Sequence, residues 1–398
     1  MSCNAKIHLK PGREKSILNK HPWIFSGAIN NINGDPRCGD TVLVLSSDGD
    51  PLGLAAFSPK SNIRARMWTW DASENVDDLF FENKIKKAFS FRANLIEEKE
   101  TNAVRLIHGE SDGLPGLVVD RYADILIIQS LTCGVEKWKD VIIEYLIKLT
   151  GINNVYERSD AAVREFEGLP FTKGLIRGDH DPENLLIHEN GLKFQIDPIN
   201  GQKTGFFIDQ RDNRLKLREL AANRKIMDCF CYTGGFMVNA LAGDAKQIVG
   251  VDSSQDAIAI CQNNIQLNGF EDRKVDLYID DVFERLRRFR DSREKFDLII
   301  LDPPKFAPTY KQVQKASRAY KDINLLAFKL LNPGGILFTF SCSGGVDETL
   351  FQKIIFSAAL DAGVNARIID KMHQSSDHAI SLSFPEGNYL KGLICILN

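Results

Sequence analysis

Residues 225–236 read Lys-Ile-Met-Asp-Cys-Phe-Cys-Tyr-Thr-Gly-Gly-Phe, and this stretch decides the fold. An apolar run of strand length ends at Asp228 and Cys229. Gly234 and Gly235 follow where the chain must turn tightly into a helix while its backbone stays open to a ligand. Outward from this unit the pattern repeats. Strands are expected at residues 225–229, 247–251, 275–279, 296–301 and 335–340, then at 366–369 and in a terminal pair around 380–384 and 393–397. Helices with apolar faces fill the gaps, one through Ala257, Ile258, Cys261 and Ile265, a later one through Ile323, Leu326, Phe328 and Leu330. Strand and helix alternating at this spacing predict an α/β fold with a mostly parallel sheet covered on both faces.

Parallel strands present their reactive groups at their carboxyl ends. The first strand ends near Asp228 and the second on Asp252, an offset of 24 residues. At about that offset an acidic side chain reaches the ribose hydroxyls of a bound nucleoside. Residues 228–236 lack the GxGxxG turn that receives a pyrophosphate, so a nucleoside without phosphates is expected, and S-adenosylmethionine fits. Asp281, after the third strand, is placed to accept from the adenine amino group, and Phe283 to pack on the ring. The candidate pocket comprises Asp228, Tyr232, Thr233, Gly234, Asp252, Ser253, Asp281, Val282 and Asp302. Each acid taken singly suits a helix N-cap equally well; their recurrence at successive strand ends favours the pocket.

The fourth strand runs into Asp302-Pro303-Pro304 and the fifth into Ser341-Cys342-Ser343. A thiol and a carboxylate are therefore expected at one cleft. That pairing suits methylation of cytosine carbon 5, a poor nucleophile until a thiolate adds to carbon 6. Cys342 is the candidate nucleophile and Asp302 the group that hydrogen-bonds the base. A free thiol has a pKa near ~8.5, so a cation or helix N-terminus must favour its thiolate. Lys305 is either that cation or a phosphate contact, and Phe306 either stacks on a base taken out of its RNA stack or packs in the core. The plain alternative for Cys342 is a buried strand cysteine acting as a small hydrophobe.

With 398 residues, 43% of them hydrophobic and 26% charged, the chain is long enough for two or three globular domains. It has no run of ~20 apolar residues and no apolar leader in Met-Ser-Cys-Asn-Ala-Lys, so a cytoplasmic protein without membrane contact is expected. Eight cysteines form no CxxC pair and no zinc-like grouping with histidine, so reduced thiols and no metal are expected. A net charge of −3 argues against a generic nucleic-acid binder, though residues 1–70 hold nine Lys or Arg against five Asp or Glu. Residues 1–72 read as an independent small β domain, with strands in 40–45 and 63–70. Residues 73–187 read as a helix of about 77–98 through Phe81, Ile85, Ala88, Phe89, Leu95 and Ile96, followed by a mixed α/β region with a strand at 125–128 and a helix near 135–149. The alternating domain occupies 188–398.

A set of motifs then carries a resemblance over almost the whole chain. It comprises Gly12-Arg-Glu-Lys-Ser16, His21-Pro-Trp-Ile-Phe-Ser-Gly27, Gly109-Glu-Ser-Asp-Gly-Leu-Pro-Gly116, Lys203-Thr-Gly-Phe-Phe-Ile-Asp-Gln-Arg211, Cys231-Tyr-Thr-Gly-Gly-Phe236, Asp302-Pro-Pro-Lys-Phe306, Tyr320-Lys-Asp-Ile-Asn324, Ser341-Cys-Ser-Gly344 and Pro385-Glu-Gly-Asn-Tyr-Leu-Lys-Gly392. The sequence resembles the bacterial 23S ribosomal RNA large subunit methyltransferase I family. The resemblance implies a PUA-like RNA-binding domain, a class I (Rossmann-like) methyltransferase domain and 5-methylcytosine formation with S-adenosylmethionine. It also implies that Lys203, Thr204, Gly205, Gln210 and Arg211 wall the methionine end of the cofactor, and that Arg13 and Lys15 contact RNA. Many RNA 5-methylcytosine enzymes carry a second cysteine after the proline of the Asp302 motif; here Pro304 and Lys305 stand there, leaving the group that assists release open. Relatives with the same Asp-Pro-Pro turn methylate guanine without a thiol, and a non-catalytic ribosome-assembly factor is a third reading. The expected partner is 23S ribosomal RNA, naked or in an early assembly particle, with a homodimer left open.

Overall fold

The structure, a computed structural model, describes residues 5–93, 100–179, 182–183, 185–306 and 312–398. Its contacts separate two units. One gathers Met1–Leu185 with the later segments Asp197–Phe206 and Asp377–Gly387; the other holds Leu186–Ile196, Phe207–Ser376 and Asn388–Asn398.

The second unit is built on a seven-stranded sheet: β1 (Lys225–Cys229), β2 (Gln247–Asp252), β3 (Val275–Ile279), β4 (Phe296–Leu301), β5 (Leu331–Ser341), β6 (Ala366–Met372) and β7 (Lys391–Leu397). Their order is β3-β2-β1-β4-β5-β7-β6. The strands β1 to β5 run parallel, and β7 lies antiparallel between β5 and β6. Side chains such as Ile226, Met227, Leu298, Ile299 and Leu337 are wholly buried, as expected of parallel strands covered on both faces. Five helices follow the strands: α1 (Gly235–Ala242), α2 (Gln255–Leu267), α3 (Val282–Asp291), α4 (Val313–Leu330) and α5 (Glu348–Ala362). Capping fixes where three of them begin, because Ser254, Asp281 and Asp347 accept from the amides of Ala257, Glu284 and Leu350. Strand order reverses between β1 and β4, and ligands of open α/β sheets bind at such a point, outside the carboxyl ends.

In the first unit a six-stranded sheet, ordered Trp23–Phe25, Ile63–Thr69, Pro51–Phe57, Thr41–Leu45, Lys6–Leu9 and Ile29–Asn33, is joined by a five-stranded one. The latter runs Thr172–Arg177, Asn154–Ser159, Ile125–Ser130, Leu117–Tyr122 and Ala103–His108. Helices Asp78–Ala93 and Cys133–Thr150 supply Phe80, Phe81, Ile85, Val135 and Ile142 to a core that also takes in Ala56 and Trp68.

Residues 1–70 have a core of their own through Ile7, Val42, Val44, Ala55 and Met67, and Ala56 and Trp68 reach in addition a core shared with both helices. Three expectations are corrected here. The cysteines are not all reduced thiols: Cys38 and Cys133, 95 residues apart, form a disulfide with Cα atoms 5.3 Å apart. No spacing pattern announces a pair brought together by tertiary packing alone. Residues 380–384 form a turn rather than a strand, with the Phe384 amide donating to the Ser381 carbonyl and Leu382 fully exposed. Finally, the segments Asp197–Phe206 and Asp377–Gly387 leave the alternating domain for the first unit. There Thr204 donates to Asp120 at 2.6 Å, and the Asp377 carboxylate accepts from the Arg105 amide at 2.9 Å. The expected helix stripe is seen as far as Phe89; Leu95 and Ile96 lie outside the described residues.

Candidate active site

Asp228 lies at the carboxyl end of β1, 1% exposed, and among the described residues neither carboxylate oxygen has a hydrogen-bond partner. Burial, reinforced by the charges of Asp302 and Asp252, holds its carboxyl well above the usual carboxylate range. A buried carboxylate without partners is costly, so the site calls for a cation or donors from outside the chain. The neighbouring Thr233 hydroxyl is likewise buried without a partner among the described residues.

The turn beyond β1 is shaped to receive that ligand. Phe230 and Tyr232 adopt positive φ, and Gly234 has φ +82°, where a Cβ would come within 2.5 Å of Cys261 Sγ. Only glycine can take this position without moving α2. Asn264 of α2, wholly buried, fastens the turn: its amide donates to the Thr233 carbonyl at 2.9 Å, while its carbonyl accepts from the Gln195 amide at 2.6 Å.

Asp252 closes β2 and accepts from the backbone amides of Tyr232 and Ser254, both at 2.9 Å, so it orders the two loops flanking the crevice. Ser253 beside it is exposed. Asp281 caps α3 through the Glu284 amide at 3.0 Å, and Val282 behind it packs in the core, so the capping role read from sequence is present. Gln210 donates to Asp302 at 3.0 Å and accepts from Asn213 at 2.6 Å. Phe207 meets Tyr232 edge to face at 5.3 Å. These contacts were not legible beforehand, because they join residues that share no local pattern.

The Lys203–Arg211 stretch is divided. Gln210 and Arg211 are buried in the second unit, whereas Lys203, Thr204 and Gly205 belong to the first, where the Thr204 hydroxyl meets Asp120 and Tyr122. Its hydroxyl is thus occupied by a structural contact, which sequence gave no means to see.

Asp302 and Cys342 follow adjacent parallel strands whose register pairs Leu301 with Thr339, and both raise the pKa of Tyr320, which burial pushes up to about 12. Of the five free cysteines among the described residues, Cys342 is the only one not buried. Burial pushes the Cys229 and Cys395 thiols up, the latter to about 12, which leaves them inert. Lys305 is exposed. Phe306, the candidate for stacking or core packing, is partly buried and meets Tyr320 at 4.8 Å and Phe283 at 6.0 Å. Arg13 and Lys15 are exposed on the first unit.

A parallel sheet with acids at successive strand ends and a glycine-shaped turn at the switch point defines a S-adenosylmethionine-dependent methyltransferase. Residues 176–353 match the S-adenosylmethionine-dependent methyltransferase family, and residues 7–70 match the PUA-like domain. The chain is 49% identical over 392 residues to the ribosomal RNA large subunit methyltransferase I of Aeromonas hydrophila, covering 98% of this chain and 99% of that protein. It is 48% identical over 390 residues to the protein of the same name from Shewanella frigidimarina, covering 98% of each. The chain belongs to the ribosomal RNA large subunit methyltransferase I family. Its fold is shared by a provisionally assigned methyltransferase from Streptococcus mutans, at a TM-score of 0.85 and 23% identity over 98% of this chain and 99% of that one.

S-adenosylmethionine fits the residues present. Its ammonium and hydroxyl groups are donors of the kind that the two unmatched Asp228 oxygens lack.

Proposed function

We propose that this enzyme methylates carbon 5 of a cytosine in 23S ribosomal RNA through a covalent bond from Cys342. The reading rests above all on Cys342, a partly exposed thiol just past the end of β5, next to the strand that Asp302 follows. The names of its relatives support ribosomal RNA as the substrate. Bound S-adenosylmethionine supplies a methyl group on a positively charged sulfur.

In this mechanism Cys342 loses its proton and its sulfur adds to carbon 6 of the ring, making carbon 5 electron-rich. Asp302, its carboxylate oriented by Gln210, accepts from the exocyclic amine on the pairing edge of the base and so fixes the ring in place for attack. Carbon 5 takes the methyl group as the bond to the donor sulfur breaks and leaves a neutral thioether, then loses its hydrogen as a proton to water. The electrons of that C–H bond reform the ring double bond and expel the Cys342 thiolate. Asp228, Asp252, Asp281 and the Tyr232–Gly234 turn hold the donor, with Gln210 and Arg211 toward its methionine end. Lys305 on the second unit holds RNA backbone, and Arg13 and Lys15 do so on the first.

Cys342→Ala is expected to abolish methyl transfer and leave donor affinity unchanged within ~0.5 kcal/mol, because the sulfur bonds to the base and not to the donor. RNA carrying 5-fluorocytosine should trap the wild type as a sulfur-linked complex, since fluorine blocks proton loss. Continued 5-methylcytosine formation by the purified variant would refute the covalent route and favour a thiol-free methylation.

A further inference from the structure

The motif Pro385-Glu-Gly-Asn-Tyr-Leu-Lys-Gly392 has no role in the mechanism above, yet it delivers a buried cation to the nucleophile's turn. Lys391 opens β7 directly across from Ser341, the last residue of β5. Only 5% of it is exposed, and its Nζ donates to the Ser343 carbonyl at 2.9 Å, one peptide beyond Cys342. Its strand packs closely against its neighbours, so that at Gly392 a Cβ would stand 2.6 Å from the Phe340 ring and 2.9 Å from Met372 Cβ. Ser343 is itself fixed: its hydroxyl bonds the Tyr320 hydroxyl at 3.0 Å, and its amide donates to Ser341 Oγ at 3.3 Å. Cys342 therefore sits in a turn tied on both sides.

A buried ammonium is costly unless an anion offsets it. No carboxylate lies within ion-pairing distance of Lys391 among the described residues. Burial lowers the affinity of Lys391 for its proton, Cys342 is the largest influence acting the other way, and Glu348 and Asp347 add smaller ones. Lys305, exposed after β4, opposes. Tyr320 on α4 stays neutral, and His373 beyond β6 lies 3.8 Å from Glu348. The exposed Lys305 is screened by water, whereas a buried charge acts through a weaker dielectric.

We propose that Lys391 is the positioning residue of the nucleophile: its ammonium ties down the turn through the Ser343 carbonyl and holds the Cys342 sulfur as thiolate. This inference rests on Cys342 being the reactive sulfur, but its test needs neither RNA nor methyl transfer. Alkylation of Cys342 by iodoacetamide is followed across pH by peptide mass spectrometry in the full-length protein. In the wild type the midpoint should lie at least one unit below the ~8.5 of a free thiol. Lys391→Met should raise it by about a unit or more, and Lys391→Arg should restore most of the shift, with thermal melting and S-adenosylmethionine binding confirming that both are folded. An ordinary midpoint in the wild type overturns the proposal even if Lys391→Met fails to fold. So does an unchanged midpoint in a folded Lys391→Met protein. If Cys342→Ala retained activity while Lys391→Met still moved the midpoint, the covalent reading would fail, and with it the positioning role, leaving only the hold of Lys391 on the Cys342 thiolate.

Discussion

Asp228 shows how a single residue can point to a ligand. Its two oxygens are buried without partners among the described residues, and burial first, then Asp302 and Asp252, raises its pKa above the ordinary 3.8. The folded chain thus binds this proton more tightly than the unfolded chain does. The corresponding stability is whole below about the ordinary value and is lost as pH rises toward the raised one. Asp228→Asn removes the titration while keeping the shape. Its urea midpoint without cofactor should exceed that of the wild type at neutral pH, by a margin that shrinks under mildly acidic conditions. A margin independent of pH would contradict the assignment. The same variant should bind S-adenosylmethionine more weakly by about 1–3 kcal/mol in calorimetry, the loss of a charge-assisted hydrogen bond.

Among the elements, α3 tests whether capping and binding are separable. Asp281 accepts the Glu284 amide at 3.0 Å, the N-cap contact, and the proposed pocket also has it accept from adenine. Asp281→Ala should cost about 0.5–2 kcal/mol of stability, whereas Asp281→Ser should keep the cap. Both should weaken S-adenosylmethionine binding by about 1 kcal/mol if the carboxylate reaches the base. Wild-type affinity in the Ser variant would confine Asp281 to the helix. Residues 380–384 teach the opposite lesson. Alternation in Ile-Ser-Leu-Ser-Phe reads as a strand, but a Phe384-to-Ser381 turn forms and Phe384 packs on Trp23 at 5.0 Å. Tertiary contacts override so short a pattern.

At the scale of the molecule, deleting residues 1–70 would strip Ala56 and Trp68 from a shared core, so RNA holding is better probed by surface charge. Arg13 and Lys15 are exposed, and replacing both with Gln should leave the core intact. Two fewer phosphate contacts should make the dependence of log affinity on log salt shallower by about 1.5. Donor binding should be unchanged. A slope equal to that of the wild type would place the RNA elsewhere on this unit.

The sequence determined the alternating sheet, because the strands at residues 225–229, 275–279 and 296–301 announce themselves through hydrophobic runs bounded by turns, and each of those signals is local. It likewise announced the strand-end acids, Gly234 and Cys342, since topology alone carries such residues to one edge. Tertiary structure decided what depends on distant partners: the Cys38–Cys133 disulfide, the Thr204 contact with Asp120, the Phe306 packing on Tyr320, and Lys391 beside the Cys342 turn. Burial and pairing across tens to hundreds of residues leave no periodic trace in a chain. Whether a side chain serves a ligand or the core is therefore settled only once its neighbours are in place.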